Sequence, residues 1–343
     1  MLDERSILVT GGTGSFGQAL AREILSRSRP RRLVIFSRDE QKQYRMAQDL
    51  SPAEHPALRY FIGDVRDRDR LRRAMDGIEI VVHAAAMKHV PIAEYNPFEC
   101  IRTNIGGAEN VIDASIDQGV AKVIALSTDK AANPINLYGA TKLCSDKCFV
   151  AANHLAASSG TRFSVVRYGN VMGSRGSVVE YFQRLIQSGA TELPITHRRM
   201  TRFWITLRQG VDFVLDRLQE MSGGEIFVPK IPSMRVPDLA RAIGPHCKLK
   251  EIGVRPGEKL HEVLIPFDEA RNTLEYSGHF TVHPAFSWWK QEEHRFDKGE
   301  EGAKVGQNFQ FRSNTNSHWL TSDDLREILQ EERLDARVHE PAA

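Results

Sequence analysis

Cysteine is scarce in this sequence: the 343 residues include only Cys100, Cys144, Cys148 and Cys247. These four lack the paired Cys/His spacing of a zinc site, and they are too few for the disulfide scaffold of a small secreted domain. We therefore expect no metal site, free thiols and a cytoplasmic location. Because neither Cys144 nor Cys148 has a candidate base beside it in the sequence, we expect both to pack in the core.

A run of apolar residues long enough to cross a membrane is also missing. The most apolar stretch, residues 78–87, is much shorter than the roughly 20 residues that a bilayer-spanning helix needs. The first predicted strand starts at residue 6, and no apolar signal region precedes it. We therefore expect neither a signal segment nor a transmembrane segment, which leaves peripheral membrane contact open.

The third absence is an excess of charge of one sign. The chain has 46 Lys and Arg against 44 Asp and Glu, mixed along its length, for a formal charge of +2. No basic face is predicted, so nucleic acid is not an expected partner, and any anionic ligand must be bound by a local group. The hydrophobic content of 41% is that of a globular protein with room for one large domain and a smaller one.

Short β-rich runs alternate with longer helix-like segments in the first half of the chain. The predicted strands are residues 6–10, 32–36, 58–62, 80–84, 120–127 and 163–167, and the predicted helices are residues 15–26, 67–75, 97–118 and 138–157. Several strands read as continuous apolar runs, as parallel strands buried on both faces do. This alternation predicts an α/β fold with a doubly wound parallel sheet of the Rossmann type.

The pattern becomes irregular after residue 169, with shorter elements and more Pro, Gly and Arg. We therefore expect residues 1–169 to form a cofactor-binding domain, to which later segments can return. Residues 170–343 are expected to form a smaller substrate-binding lobe and a C-terminal segment. The polar, charge-rich residues 289–316 are predicted to be a loop.

A glycine-rich loop directly follows the first predicted strand and opens the first helix, with the sequence GGTGSFG at residues 11–17. Gly11 permits a tight turn, Gly14 lets the backbone approach a pyrophosphate, and Gly17 allows close helix packing. The helix N-terminus then offers amide donors to the phosphates. The candidate dinucleotide-binding residues of this loop are Gly11, Thr13, Gly14, Ser15, Phe16 and Gly17.

The end of the second strand indicates which dinucleotide binds. An acidic residue that grips the ribose of NAD is missing there, and Ser37 and Arg38 take its place. Arg38, with Ser37 and Lys42, would accommodate the 2′-phosphate of NADP, and the neighbouring Asp39 is included among the candidates. The alternative for Arg38 is a solvated surface arginine.

Two further pairs follow the third and fourth strands. Asp64 and Val65 are candidates to hold the adenine, and Ala84 and Ala85 would give a floor of small residues under the cofactor. The alternatives are a helix cap for Asp64 and mere packing for the alanines.

Tyr138 and Lys142 lie four residues apart, on one face of the predicted helix that follows the fifth strand. A tyrosine near its unperturbed pKa of roughly 10 is a poor base at neutral pH. An adjacent ammonium and the positively charged nicotinamide favour the phenolate, so Tyr138 can accept a proton from a hydroxyl. Both residues are also candidates to bind the cofactor.

Together, these motifs resemble the nucleotide-sugar branch of the extended short-chain dehydrogenase/reductases. The resemblance covers nearly the whole chain and is sharpest at ALSTDKAANPINLYG, residues 125–139, which is similar to the inverting UDP-N-acetylglucosamine 4,6-dehydratases of pseudaminic acid synthesis. The segments MKHVP (87–91), MTRFW (200–204) and RPGEKLHE (255–262) add to this resemblance.

The resemblance implies oxidation of the sugar at carbon 4, loss of water across carbons 5 and 6, and hydride return to carbon 6. Oxidation acidifies the proton at carbon 5, because the carbanion is stabilised as an enolate. Asp129 is the candidate acid for the carbon 6 hydroxyl and Lys130 the candidate for carbon 5 proton transfer, although these roles can be exchanged or shared. Thr128 completes the candidate catalytic set. The alternative for Lys130 is a surface residue that closes the loop.

The resemblance also implies which residues meet the UDP-sugar. Lys88, Asn170, Arg255 and Glu258 are the candidates, since an arginine offers paired donors to a diphosphate and a carboxylate accepts from ribose hydroxyls. The alternatives are that Asn170 is a turn residue, that Arg255 and Glu258 form a surface ion pair, and that Lys88 is a solvated side chain. The residues expected near the nicotinamide and phosphates are Val171, Met172, Gly173, Ser174 and Arg175.

Three other functions stay open at this point. The nearest alternative is a 4,6-dehydratase that retains the configuration at carbon 5. Such enzymes often carry membrane-spanning regions and can lack the tyrosine. A 4-epimerase has no need of the Asp129 and Lys130 pair, and a non-catalytic NADP-binding sensor has no need of the whole set. The resemblance further implies a homo-oligomer, with a hexamer as one option, in flagellin or surface-glycan glycosylation.

Overall fold

The strands and helices are those of a computed structural model, which describes residues 2–156, 158–173, 176–286, 296–297 and 299–338. The strands are β1 (Ser6–Thr10), β2 (Arg32–Ser37), β3 (Leu58–Ile62), β4 (Ile80–His83), β5 (Lys122–Thr128), β6 (Arg162–Tyr168), β7 (Asn170–Val171), β8 (Glu192–Ile195), β9 (Thr201–Ile205), β10 (Ile226–Pro229), β11 (Ser233–Arg235), β12 (Lys248–Glu251), β13 (Val263–Ile265), β14 (Thr273–Glu275), β15 (His279–Val282), β16 (Phe296–Asp297), β17 (Glu300–Glu301), β18 (Ala303–Lys304) and β19 (Phe311–Arg312).

The helices connect these strands. They are α1 (Ser15–Arg27), α2 (Glu40–Asp49), α3 (Arg68–Ala74), α4 (Val90–Tyr95), α5 (Pro97–Ile101), α6 (Gly107–Asp117), α7 (Leu137–Leu155), α8 (Val178–Gln187), α9 (Leu207–Glu220), α10 (Val236–Ile243), α11 (Phe267–Ala270) and α12 (Ser322–Val338). Within the described ranges, no helix combines the length and the apolar composition that a membrane span requires.

The central sheet has the order β18-β14-β15-β10-β6-β5-β4-β1-β2-β3. The strands from β3 to β10 pair in parallel, and β15, β14 and β18 add an antiparallel edge. The order 3-2-1-4-5-6 is that of a doubly wound dinucleotide-binding sheet, in which the strand order reverses between β1 and β4. The predicted α/β class and Rossmann-type sheet are therefore confirmed.

The second half of the chain contributes to more than one layer. Strands β10, β14, β15 and β18 extend the central sheet, whereas β11, β9 and β7 form a small separate sheet. A second hydrophobic cluster, which includes Phe182, Leu193 and Trp204, lies among α8, α10 and these short strands. Side chains from this part of the chain therefore reach the carboxyl ends of the central strands.

Most predicted elements match the structure to within two residues, with four differences. Helix α4 (Val90–Tyr95) was not predicted, because it has only six residues. The helix predicted over residues 97–118 is continuous but contains a π-helical turn at Arg102–Gly106. Helix α2 was not predicted, because only Gln43 and Met46 are buried and the sequence shows no apolar stripe. Where the structure describes residues 289–316, short strands replace part of the predicted loop, since pairing with β14 and β13 supplies their hydrogen bonds.

Candidate active site

The glycine loop brings α1 against the carboxyl ends of β1 and β4. Gly11 has a φ of +64°, and a Cβ there would lie 2.9 Å from the Ala85 backbone. A Cβ at Gly17 would lie 2.5 Å from the Cα of Gly12, so the first turn of α1 closes onto the loop. Gly14 caps α1, whose first turn contains no acidic residue. The amides at this helix end are therefore suited to bind phosphate.

A cleft of about 570 Å³ opens in front of this loop, near β1 and β4, where the strand order reverses. Most predicted cofactor residues line it, namely Gly11, Thr13, Gly14, Ser15, Phe16, Ser37, Arg38, Asp39, Lys42, Asp64, Val65, Ala84 and Ala85. Lys88 lines its inner end. Gly17 and the deeper candidates Tyr138, Lys142, Val171, Met172 and Gly173 are not among its lining residues.

The outer end of the cleft carries both basic and acidic side chains. The Arg38 guanidinium is 62% exposed and lies 3.7 Å from an Asp64 carboxylate oxygen. Asp39 accepts a hydrogen bond from the Lys42 amide and so caps α2, while the Lys42 ammonium lies 3.0 Å from the same carboxylate. Asp39 therefore has a structural role in addition to lining the cleft.

Asp64 does not cap the helix that follows it. The cap of α3 is Asp67, whereas Asp64 accepts two hydrogen bonds from the Arg66 guanidinium, at 2.7 and 3.1 Å. Burial opposes ionisation of Asp64, but the Arg66 hydrogen bonds and charge outweigh it and lower its pKa. Asp64 is therefore ionised at neutral pH, next to the exposed Arg38.

Tyr138 is brought beside the turn Asp129–Ala131 by a glycine contact. A Cβ at Gly139 would lie 2.2 Å from the Lys130 carbonyl oxygen, so only glycine lets α7 start this close to the turn. Asn136 caps α7 by accepting from the Gly139 amide. The sequence YG at residues 138–139 thus places the phenol next to the acid and amine.

Asp129 and Lys130 form a hydrogen-bonded pair at the carboxyl end of β5. The Lys130 ammonium donates to Asp129 Oδ1 at 3.0 Å and to Asn170 Oδ1 at 3.2 Å. The Thr128 hydroxyl donates to the same Asp129 oxygen at 3.0 Å. Asp129 is fully buried, and its Oδ2 has no hydrogen-bond partner among the described residues. The predicted catalytic pair and the predicted substrate residue Asn170 are therefore in direct contact.

The cation that acts most strongly on Tyr138 differs from the one we expected. Burial raises the pKa of Tyr138 to about 12, and the Lys130 charge and the Thr128 hydroxyl oppose this rise. The sequence argument assigned this effect to Lys142. In the structure, Lys142 instead acts on the buried His83, whose pKa falls to about 3 through burial and that charge. The reason is that the turn Asp129–Ala131 faces the Tyr138 phenol, whereas the next turn of α7, which carries Lys142, does not.

Lys142 belongs to a buried charge cluster behind Tyr138. Burial lowers the pKa of Lys142, and Asp146, one turn along α7, opposes this effect. Asp146 accepts from Ser127 Oγ at 2.7 Å and lies 3.5 Å from the Arg167 guanidinium. Arg167 is fully buried and also donates to Glu269 at 2.6 Å. The lysine of the Tyr-x-x-x-Lys motif is thus connected, through α7 and β6, to α11.

A comparison with protein families places this site in context. The family model for polysaccharide biosynthesis proteins matches residues 7–284. The chain belongs to this family. A Campylobacter jejuni protein named UDP-N-acetylglucosamine 4,6-dehydratase (inverting) is 54% identical over 331 residues, which cover 96% of this chain and 98% of that protein. The resemblance to extended short-chain dehydrogenase/reductases of the nucleotide-sugar branch is thereby confirmed.

Solved structures agree with this assignment. The X-ray structure of Pen from Bacillus thuringiensis superposes with a TM-score of 0.88 at 34% identity, covering 97% of this chain and 99% of that one. The dTDP-glucose 4,6-dehydratase DesIV from Streptomyces venezuelae, solved with NAD and TYD bound, has a TM-score of 0.66 at 21% identity. It covers 74% of this chain and 86% of that one, and at this identity it supports the fold alone.

The four residues predicted to bind substrate differ from one another in their contacts and exposure. Asn170 contacts Lys130, as described. The Lys88 side chain is exposed, and desolvation by the surrounding protein and the Lys130 charge lower its pKa against the opposing charge of Glu180. Arg255 and Glu258 form an ion pair at 3.6 Å, with the arginine mostly exposed. Of the residues predicted to lie near the nicotinamide, Ser174 and Arg175 are outside the described residues.

Three charged residues close to the pair were not singled out from the sequence. Lys259 and Glu262 lie in the RPGEKLHE segment and Arg202 lies on β9; Glu262 and Arg202 act on the Lys130 pKa. Lys259 in turn is influenced by Asp129 and Lys130. The segments RPGEKLHE and MTRFW were the available signal in the sequence, but they did not show that these side chains lie near the turn Asp129–Ala131.

The cysteines do not form disulfides among the described residues. All four cysteines are free; Cys144 is exposed, so the expectation that it packs in the core was wrong, because it lies on the outer face of α7. Cys148 is partly buried against the main core. Among the described residues, no group of three or more His, Cys, Asp or Glu side chains is placed to hold a metal ion.

Proposed function

We propose that this chain is a UDP-N-acetylglucosamine 4,6-dehydratase that inverts carbon 5 and gives UDP-2-acetamido-2,6-dideoxy-β-L-arabino-hex-4-ulose. The observation that carries the proposal is the hydrogen-bonded Asp129–Lys130 pair beside Tyr138. A 4-epimerase or a cofactor sensor has no use for this buried pair. The similarity to the Campylobacter jejuni dehydratase supports the same substrate and stereochemistry.

Tyr138 is the proposed base for the hydroxyl at carbon 4. Lys130 stabilises its phenolate, and the Thr128 hydroxyl opposes the effect of burial on its pKa. A bound nicotinamide dinucleotide supplies the hydride acceptor for carbon 4 and the hydride donor for carbon 6. The glycine loop and the cleft hold this dinucleotide, so no external redox partner is required.

Asp129 and Lys130 supply the acid and the base for loss of water. Asp129, and Glu262 further away, raise the pKa of Lys130 against the effect of burial, so the resting pair is an ammonium and a carboxylate. Transfer of one proton along their 3.0 Å hydrogen bond gives a neutral amine and a carboxylic acid. The amine then takes the carbon 5 proton while the acid protonates the leaving carbon 6 hydroxyl, which departs as water. After hydride has returned to carbon 6, the enolate takes a solvent-derived proton at carbon 5 on the opposite face, which inverts this centre, and Tyr138 releases the proton of the carbon 4 hydroxyl to solvent.

NADP is the proposed form of the cofactor. The support is the cation pair Arg38 and Lys42 at the outer end of the cleft, where both can reach a 2′-phosphate. Asp39 and Asp64 also line this end; Arg66 engages Asp64 and Lys42 is shared with Asp39, which leaves the exposed Arg38 as the main cation for a phosphate. The local charge therefore still accommodates a phosphate.

Several further proposals accompany this function. We propose a boundary near residue 169 between the cofactor-binding domain and the substrate-binding lobe. We also propose a cytoplasmic homo-oligomer, with a hexamer as one option, whose product enters pseudaminic acid synthesis and flagellin or surface-glycan glycosylation. The free thiols are consistent with a reducing compartment, and the exposed Tyr95 and Phe98 on α4 and α5 offer apolar surface for subunit contacts.

The decisive experiment is incubation of UDP-N-acetylglucosamine in heavy water with the enzyme and catalytic NADP, followed by mass spectrometry and proton NMR. We expect a product that has lost one water, carries deuterium at carbon 5 and shows the coupling pattern of the inverted sugar. Loss of water with the original coupling pattern would replace the proposal with a retaining dehydratase. An unchanged mass with NADP bound would leave a 4-epimerase, another substrate or a sensor.

A further inference from the structure

The RPGEKLHE segment is hydrogen-bonded to the loop that joins the acid and amine to Tyr138. The Lys259 ammonium donates to the carbonyl oxygen of Ala132 at 2.6 Å. Asn136 Nδ2 donates to the Gly257 carbonyl at 2.8 Å. Gly257 has a φ of +76°, and a Cβ there would lie 3.2 Å from the Asn136 Cβ, so the two backbones approach closely. The segment thus fixes both ends of the loop that connects the turn Asp129–Ala131 to α7.

Lys259 also forms a charged pair with Glu262 beside this loop. Its ammonium lies 3.6 Å from Glu262 Oε2, and Arg202 Nε lies 3.7 Å from Glu262 Oε1. The Glu262 side chain is only 3% exposed, and its Oε2 has no hydrogen-bond partner among the described residues. A buried carboxylate without full hydrogen bonding opposes folding unless nearby cations compensate it. Apolar side chains often stabilise a protein core as well as a buried ion pair does, so the presence of this pair points to a role in the adjacent site.

We infer that Lys259 and Glu262 are positioning residues for the Asp129–Lys130 pair. Lys259 holds the backbone of the turn through Ala132, and the two opposite charges, which do not line the cofactor cleft, set the electrostatic environment of the Lys130 amine. Neither side chain needs to touch the sugar. The inference rests on the proposed function for its kinetic test, and a second test below is independent of that function.

The charges around Lys130 come from every element packed against it. They are Asp129 on its own turn, Tyr138 on α7, Arg202 on β9, Lys88 after β4, and the pair of Lys259 and Glu262. Burial lowers the pKa of Lys130, whereas Asp129 and Glu262 raise it. Loss of the Glu262 charge therefore lowers the Lys130 pKa. Burial also lowers the pKa of Lys259, and the Lys130 charge adds to this, so by reciprocity loss of the Lys259 charge raises the Lys130 pKa.

Two substitutions on the same pair test the inference by the direction of their effects. In Glu262→Gln and Lys259→Met, we expect kcat to fall by about tenfold to a hundredfold, as a displaced catalytic group would cause. The KM for UDP-N-acetylglucosamine is expected to change by less than about threefold, because no substrate contact is lost. The pH profile of kcat should shift to lower pH in Glu262→Gln and to higher pH in Lys259→Met.

The controls separate positioning from general damage. Lys259→Arg keeps the charge and the donor, so its pH profile should stay in place. Lys230→Met removes another lysine of a lysine–glutamate pair, 2.8 Å from Glu275 on the antiparallel edge of the sheet, and should change neither kcat nor the profile. Shifts of the two test variants in the same direction, or no shift together with a lower melting temperature, would overturn the inference.

Hydrogen–deuterium exchange tests the contact without any turnover. In the full-length protein, Lys259→Met is expected to accelerate amide exchange in peptides that cover residues 129–139, since the Ala132 carbonyl loses its donor. Lys230→Met should leave these peptides unchanged. Equal exchange in the wild type and Lys259→Met would overturn the inference. If the wild type forms no dehydrated sugar, the proposed function fails, and the exchange result alone decides on the positioning role.

Discussion

The two charged regions of the site differ in how much water surrounds them. At the outer end of the cleft, the side chains of Arg38 and Lys42 are 62% and 48% exposed. At the proposed reaction centre, Asp129 is fully buried and Tyr138 is 9% exposed. The same kinds of side chain therefore work in two media, one close to bulk water and the other of low effective dielectric constant.

This difference explains how each region can specify its ligand or reaction. Exposed charges are screened by salt and pair weakly, so we expect a single substitution there to change cofactor preference with little cost to the fold. Buried charges are coupled to one another, and removal of one leaves its partners uncompensated. The four predictions below test this contrast, beginning with the largest effect.

The largest effect is expected at the buried pair. Lys130→Ala removes the amine that contacts Asp129 and Asn170, so turnover of UDP-N-acetylglucosamine should fall by about a hundredfold to ten-thousandfold. NADP affinity should stay unchanged, because Lys130 does not line the cofactor cleft. Steady-state kinetics and a fluorescence titration with NADP measure the two quantities. The exposed Lys147 on α7 gives the control Lys147→Ala, and near-normal turnover of Lys130→Ala would remove lysine from the mechanism.

A loss of stability is expected when the buried cluster behind Tyr138 is broken. Arg167→Met leaves Asp146 and Glu269 without their shared cation, which should lower the free energy of unfolding by about 3–5 kcal/mol. Urea denaturation measures this change. Arg162→Met on the same strand removes an exposed arginine and should have a much smaller effect. Equal effects of the two substitutions would show that burial does not distinguish these charges.

Cofactor preference should change at the exposed end without loss of stability. Arg38→Asp is expected to weaken NADP binding by about tenfold to a hundredfold and NAD binding far less, since a carboxylate repels the 2′-phosphate. Calorimetric titrations at two salt concentrations measure this, and the wild-type preference for NADP should decrease in high salt. Arg45→Asp, at an exposed position of α2, is the matched control. Equal weakening of both cofactors by Arg38→Asp would contradict the NADP proposal.

The fourth effect is absent at neutral pH and concerns the stability of the wild type in acid. Burial and the Lys142 charge lower the pKa of His83 to about 3, whereas an unfolded histidine titrates near 6.5. Below pH about 6.5 the unfolded state therefore binds the additional proton, and stability is lost progressively as pH falls toward 3. The melting temperature of His83→Gln should depend less on pH between these limits. His246→Gln, at an exposed position, should follow the wild type, and a parallel decline in His83→Gln would contradict the assignment.

Local sequence patterns predicted the elements that bind the dinucleotide. The glycine loop, the strands β1 to β6 and the helix that carries Tyr138 all depend on neighbouring residues, so spacing and apolar runs were sufficient to locate them. The polar helix α2 was missed because it lacks an apolar stripe. The short strands β18 and β19 were missed because two residues show no alternation, and distant partners stabilise them.

The sequence by itself determined the fold class, the place of the candidate dinucleotide cleft and the candidate catalytic side chains, because these follow from motifs within single turns and helices. The tertiary structure decided which cation faces Tyr138, and it joined Arg167 to Glu269 and Lys259 to Ala132. The last two contacts link residues 102 and 127 positions apart. Such contacts, and the burial that governs the pKa values, depend on how distant segments pack, which no local pattern encodes.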